Sequence, residues 1–275
     1  MGLKLKVSIG LVQLEVRDGD IKTNISKGIN YITKLAEGNS DLIIAPELWP
    51  TGYNKESILQ FSSNTRKHEE LINILKTISN KYKSVIVAPM PVKEDDRIYN
   101  AAVVIYKDDI IAIYKKIHLF RLFHENNIFT KGDDVTLVHV KGFNLGLAIC
   151  YDLRFPELFR ILSAKEAHII AIPASWGAPR VKQWRTLLKA RAIENQVYVV
   201  GVNRVGYSKE VKEDFPGNSC VIDPLGDEVV CLGRHEEAVN IIIDLDYIKK
   251  ARSYLSLWSD RRVDLYSLRS KWGLY

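Results

Sequence analysis

The sequence predicts an α/β fold with largely parallel central strands. Short apolar runs of strand length alternate with amphipathic stretches of helix length. The order of these runs in the first half restarts in the second, so two layered sheets with helices outside would accommodate it. No linker, short-period repeat or low-complexity segment divides the 275 residues, and that length is normal for one large α/β domain.

Residues 4–16 alternate apolar and polar before shading into a buried strand. Residues 20–38 read as a helix: Asp20 can cap it, Ile25, Ile29, Ile32 and Leu35 make one stripe, and Gly38 can stop it. Residues 42–45 form a short buried strand, 68–82 a helix with Leu71, Ile74, Leu75 and Ile78 on one face, and 84–92 a strand. Residues 99–106 and 110–114 pair as a hairpin around Lys107-Asp-Asp109. Residues 117–136 lack periodicity and read as a loop, and long loops in compact domains often carry function. Strands resume at 135–140 and 145–149, a helix with proline in its first turn follows at 156–165, and a strand at 168–172. A helix at 181–196, a strand at 197–203, and strands at 219–223, 228–232 and 238–244 complete the sheet. The tail, 247–275, carries Tyr254, Trp258, Tyr266, Trp272 and Tyr275 among arginines. Such a tail would be poorly buried alone and is expected to pack on a partner subunit.

Composition narrows the function. The net charge of +6 suits solubility or the attraction of small acidic molecules but is too mild to imply nucleic acid. Arg180, Lys182, Arg185, Lys189 and Arg191 make a basic helix, read as a solvated or ion-paired face because no groove-reading motif accompanies it. No run is long enough to span a bilayer, and the N-terminus lacks the apolar core of a signal peptide. Cys150, Cys220 and Cys231 are far apart and odd in number, so no disulfide framework is read from them. Cys220 and Cys231 are expected to be unpaired thiols, and a reducing cytoplasm to be the compartment.

Three strand ends carry the chemistry. The apolar run Asn144-Leu-Gly-Leu-Ala-Ile-Cys150 breaks at once into Tyr151-Asp-Leu-Arg-Phe-Pro156, which presents a thiol at a sheet edge. The run from Leu42 to Ala45 leads into Pro46-Glu47, and that from Ile110 to Tyr114 into Lys115-Lys116. A thiol, a carboxylate and an ammonium are the parts needed to cleave an amide through a thioester: nucleophile, proton shuttle and oxyanion partner. In α/β sheets ligand crevices open at such ends, so the three can converge. Side chains alternate along a strand, so only one of Lys115 and Lys116 faces a cleft. His118, His124 and Glu125 match no standard zinc spacing, so neither a metal nor any other cofactor is expected.

On four segments the chain resembles the nitrilase superfamily of carbon–nitrogen hydrolases. They are Ala45-Pro-Glu-Leu48, Tyr114-Lys-Lys-Ile-His-Leu-Phe120, Ile149-Cys-Tyr-Asp-Leu-Arg-Phe-Pro-Glu157 and Lys189-Ala-Arg-Ala-Ile-Glu-Asn-Gln196. The resemblance implies a four-layer αββα sandwich and a single domain over residues 1–275, with 247–275 as a tail on a partner subunit. It implies a Glu-Lys-Cys triad at Glu47, Lys116 and Cys150, and so selects Lys116 over Lys115. It places a second glutamate beside the triad, for which Phe123-His-Glu125 followed by Lys131-Gly-Asp133 selects Glu125. It also implies a homodimer or larger homo-oligomer.

Nitrile-cleaving members usually carry tryptophan after the cysteine, where this chain has Tyr151. The run from Cys150 to Phe155 is similar to the omega-amidases, which release ammonia from the terminal amide of small carboxylate-bearing molecules. The expected substrate is therefore a small linear amide, with no nucleic-acid or membrane partner. N-carbamoyl amino acid hydrolysis or nitrile hydrolysis by the same triad is the alternative. Arg154 is expected either to bind a substrate carboxylate or to brace the loop through Asp152 or Glu157, and Tyr53, Tyr151 and Trp176 to contact substrate.

Overall fold

The computed structural model describes residues 6–63, 65–266, 269–270 and 273–274. The first half contains β1 (Lys6–Gln13), α1 (Ile21–Glu37), β2 (Leu42–Ile44), α2 (Lys55–Ser63), α3 (Thr65–Tyr82), β3 (Val85–Glu94), β4 (Arg97–Tyr106) and β5 (Asp109–Lys115). The second contains β6 (Leu137–Val140), β7 (Phe143–Leu147), α4 (Pro156–Ala164), β8 (Ile169–Ala174), α5 (Val181–Asn195) and β9 (Tyr198–Asn203). It continues through β10 (Val205–Ser208), β11 (Glu213–Pro216), β12 (Cys220–Ile222), β13 (Glu228–Cys231), β14 (Glu237–Asp244) and α6 (Asp246–Tyr254). Two-residue strands at Arg269–Ser270 and Gly273–Leu274 pair with each other.

Two six-stranded sheets result, ordered β14-β1-β2-β3-β4-β5 and β13-β12-β9-β8-β7-β6. In each, the three central strands run parallel and the flanking pairs antiparallel. The continuous apolar runs reflect burial on both faces. In β2, Leu42 and Ile44 join the core between the sheets with Leu145 and Leu147 of β7, whereas Ile43 turns to Ile32 and Leu35 of α1 and Leu71 and Leu75 of α3. Trp184 and Leu188 of α5 and Leu158 and Leu162 of α4 cover the second sheet. The layers are thus αββα. Asp20 caps α1 as expected, its side chain accepting from the Thr23 N–H at 3.1 Å.

Several expectations are corrected. Residues 238–244 do not extend the second sheet: β14 crosses over to pair with β1 from Lys6↔Asp244 to Gln13↔Glu237. Helix α2 and the β10–β11 hairpin lie where no element was expected. The tail begins with α6, which docks on its own chain through Ile248 and Ala251, while Tyr254, Leu255, Leu265 and Tyr266 stay exposed. Trp272 and Tyr275 fall outside the described residues. Cys220 and Cys231 are joined as a disulfide, because the turn between β12 and β13 sets them directly opposite each other. That bond removes the support which unpaired thiols lent to a reducing compartment. No described helix is long and apolar enough to cross a membrane.

Candidate active site

Glu47 lies three residues beyond β2, Lys116 one beyond β5 and Cys150 three beyond β7. Packing the two sheets face to face brings these ends together. Cys150 does not close its strand: β7 stops at Leu147, Ile149 is still extended, and Cys150 opens a 3₁₀ turn, Cys150–Arg154, with φ of +46°. A non-glycine residue there is strained and persists only where its surroundings hold it. Asp152 holds it, accepting from the Ile149 N–H at 2.9 Å.

The Lys116 ammonium is fully buried between two carboxylates, 2.7 Å from Glu47 Oε1 and 2.8 Å from Glu125 Oε1. Its backbone is fixed on both sides: its N–H donates to the Asn100 carbonyl at 2.8 Å, and its carbonyl accepts from the Gly132 N–H at 2.8 Å. Only glycine fits at 132, since a Cβ would sit 2.0 Å from the Lys115 carbonyl oxygen. Lys115 points out, pairing with Glu94 and resting on the Tyr99 ring. The loop bearing Glu47 is anchored by Trp49, whose ring lies so close to α1 that a Cβ at Gly28 would come within 2.2 Å of it.

The Glu47 carboxylate accepts four hydrogen bonds, counting that from Lys116. Oε1 takes the Asn100 amide at 2.8 Å as well as Lys116, and Oε2 takes the Ser175 N–H at 2.9 Å and the Tyr53 hydroxyl at 3.1 Å. Tyr53 also lies 3.2 Å from Glu125 Oε1, and Glu125 Oε2 accepts from the Phe120 N–H at 2.9 Å. The Cys150 thiol reaches the Ser175 carbonyl at 3.7 Å. Ser175 therefore meets Glu47 with its N–H and Cys150 with its C=O.

The electrostatics follow from burial. It pushes the Cys150 thiol well above its ordinary range, and the Glu47 charge adds to this while Lys116 opposes it. Burial raises Glu125 to about 6, Lys116 opposing and Glu47 assisting. For Lys116 burial acts downward, but Glu125 and Glu47 outweigh it and hold the ammonium well above its usual range. Tyr53 is raised well above a normal phenol, by burial first and then by both carboxylates.

The mouth above Cys150 is lined by Phe120, Tyr151, Arg154, Ser175, Trp176 and Arg180. Tyr151, Arg154 and Trp176 thus line the mouth, and Tyr53 lies behind, against the carboxylates. Arg154 braces through neither Asp152 nor Glu157: its guanidinium lies 4.7 Å over Trp176 and donates to Gln183 Oε1 at 2.6 Å. Arg180 is committed to Glu213. Asp152 instead accepts from the Tyr114 hydroxyl at 2.7 Å and the His118 N–H at 2.9 Å. Among the described residues no cluster of His, Cys, Asp and Glu could hold a metal ion. Asn100 and Ser175 were not foreseen, and Asp152 was expected only as a possible partner of Arg154. Ser175 follows the apolar run of β8 directly, so the strand-end reasoning that found Glu47, Lys116 and Cys150 could have found it too.

An αββα sandwich with a buried thiol, an ammonium and two carboxylates at its converging strand ends has the make-up of a hydrolase of carbon–nitrogen bonds. The chain belongs to the carbon-nitrogen hydrolase family, whose model matches residues 8–253. It is 33% identical over 264 residues to the 2-oxoglutaramate amidase of Bacillus subtilis, covering 95% of this chain and 100% of that protein. It is 28% identical over 281 residues to the omega-amidase NIT3 of Saccharomyces cerevisiae, covering 96% of each. The crystal structure of a CN-hydrolase superfamily protein from Xanthomonas campestris, with an arsenic adduct in its active site, superposes with a TM-score of 0.87 at 28% identity, covering 94% of this chain and 98% of that one. The chain is accordingly an enzyme of the nitrilase superfamily, in its omega-amidase-like branch.

Proposed function

We propose that this enzyme hydrolyses small linear, carboxylate-bearing amides to the acid and ammonia through a thioester on Cys150. The observation that carries the reading is Lys116, buried between Glu47 and Glu125 with the Cys150 thiol inside the field of all three. Burial disfavours a standing thiolate, so the thiol is deprotonated as it attacks. Glu47 takes the proton, sulfur bonds to the amide carbon, and the carbonyl electrons move to oxygen. Lys116 and the Tyr151 N–H face that oxyanion. Glu47 returns the proton to nitrogen as the C–N bond breaks and ammonia leaves. Water then gives a proton to Glu47 and its oxygen to the acyl carbon, and the thiol is regenerated as the acid departs.

The amidases among the relatives support the leaving group. Arg154 supports the carboxylate: it lies at the mouth, and the bond it makes there is to a neutral amide oxygen, so its charge is available to an anionic substrate. Tyr151 and Trp176 would wall the acyl chain. The unit is read as one domain over 1–275, and the exposed apolar side chains after α6 as contacts between copies of the chain.

The test is an ammonia-release assay over 2-oxo-acid ω-amides, N-carbamoyl amino acids and nitriles, with mass spectrometry of the trapped acyl-enzyme. Turnover of the ω-amides, an adduct on Cys150 and a folded but inactive Cys150→Ala variant are expected. Faster turnover of nitriles, or carbon dioxide released with the ammonia, would replace the substrate assignment, and wild-type rates from Cys150→Ala would end the mechanism.

A further inference from the structure

The Tyr53 hydroxyl has one proton and two carboxylate neighbours, Glu47 Oε2 at 3.1 Å and Glu125 Oε1 at 3.2 Å. All three groups are buried. A hydroxyl donates only one hydrogen bond, so with both carboxylates ionised one contact sets oxygen against oxygen with no hydrogen between. Both contacts are attractive only when one carboxyl carries a proton and donates it to the phenol oxygen while the phenol donates to the other. The arrangement is therefore suited to one proton more than an ionised pair holds, and that proton can rest on either carboxyl.

From this geometry, and resting on the mechanism proposed above, we infer that Tyr53 relays a proton between Glu47 and Glu125. When Glu47 has taken the thiol proton, that proton passes to the phenol oxygen as the phenol proton passes to Glu125 Oε1. Glu47 is again a carboxylate, Tyr53 is neutral, and Glu125 holds the proton while the Cys150 sulfur, which gives up its proton as it attacks, is bonded to the amide carbon. The reverse movement delivers the proton to the departing nitrogen. The two transfers are concerted, because tyrosinate is disfavoured by burial and by both neighbouring charges. Glu125 suits the receiving role, its affinity for a proton being raised by burial and by Glu47 against the pull of Lys116. The charged and titratable groups acting here are Glu47, Glu125, Lys116 and Cys150, together with Arg204, which interacts with Tyr53 from beyond β9, and Asp18, whose carboxylate takes the Tyr53 N–H at 2.9 Å. Asp18 and Arg204 are ion-paired with each other and so hold the Tyr53 loop in place.

The experiment compares wild type with Tyr53→Phe, and with 3-fluorotyrosine at position 53 as the near-isosteric replacement should Phe fail to fold. Rates are taken in mixtures of light and heavy water and across pH. The expected outcome for wild type is a bowed dependence on deuterium fraction, two protons being in flight. In Tyr53→Phe the dependence becomes linear, kcat falls roughly 100-fold or more, and the acid limb moves away from the Glu125 ionisation. With 3-fluorotyrosine, kcat changes with the acidity of the phenol. A linear dependence in wild type would overturn the relay, as would a bowed one that persists in Tyr53→Phe, or a fluorotyrosine rate that ignores phenol acidity. Trapping the Cys150 acyl adduct in the same variants separates the two readings: the relay can fail with the thioester intact, whereas loss of the adduct in wild type removes the thioester itself.

Discussion

The Tyr114 hydroxyl lies 2.7 Å from Asp152 Oδ2, and this contact joins the strand that delivers Lys116 to the turn that delivers Cys150. The same buried carboxylate takes the N–H of Ile149, the residue before the nucleophile, and the N–H of His118, two residues beyond the lysine. Asp152 thus sets the spacing of nucleophile and ammonium without touching either. Replacing it with Ala leaves several buried donors without an acceptor, at about 1–3 kcal/mol for each orphaned group. Asp152→Ala is expected to lower Tm and kcat together, measured by calorimetry and ammonia release. Tyr114→Phe, which removes one bond, is expected to cost about 1 kcal/mol.

The buried thiol should be slow to alkylate. Because burial and Glu47 raise its proton affinity, the thiolate population at neutral pH is below that of an ordinary cysteine. Chloroacetate labelling of Cys150, followed by mass spectrometry, should accelerate with pH beyond the range in which free cysteine has already reached its plateau. In Glu47→Gln the substrate-driven deprotonation is lost, and kcat is expected to fall by about 10²-fold or more.

Glu125 gives stability a pH dependence of defined sign. Its proton affinity rises from 4.5 to about 6 on folding. Between those values the folded chain binds the extra proton, so stability falls as pH rises through the window and is level above it. The span corresponds to about 2 kcal/mol. Urea midpoints measured from pH 4.5 to 7 should show this slope in wild type and a flatter line in Glu125→Gln.

At the mouth, Arg154→Ala should raise KM for amides that carry a carboxylate by roughly 10-fold or more and leave neutral amides nearly unchanged, since a hydrogen bond to a charged partner is worth about 1.5–3 kcal/mol. Arg154→Lys should recover only part of the loss, because an ammonium cannot make the bidentate contact. Steady-state kinetics on a matched pair of substrates would decide it.

Gly132→Ala should be among the more damaging single methyl additions in the chain. The new Cβ would overlap the Lys115 carbonyl, and that backbone can yield only by moving Lys116. Overpacking of this kind costs about 1–3 kcal/mol. A lower Tm and a larger fall in kcat than Tm alone explains are expected.

The positions of Glu47, Lys116 and Cys150 were legible because each follows an apolar run, and a strand buried on both faces announces its own end. Glu125 came only through the resemblance, since nothing in the irregular stretch from 117 to 136 marks one acidic side chain as buried. The bond from Tyr53 to Glu125 spans 72 residues and has no local pattern. Asp152 was named only as a possible brace for Arg154, because its distant partners, Tyr114 on β5 and His118 just beyond it, leave no mark on the local sequence. The β10–β11 hairpin escaped because its strands are four residues each, too short to show a period. The Cys220–Cys231 bond depends on register, with the turn setting which residues stand opposite, and cysteine spacing alone does not report that.

The pairing of β14 with β1 joins the last strand of the two large sheets to the first. On the ribosome, β1 emerges early and waits with one backbone edge open until the segment ending at Asp244 has been made. The nascent protein therefore carries a sticky border while the residues between Gln13 and Glu237 are made, and a product truncated before Glu237 would leave the ribosome with that border permanently uncovered.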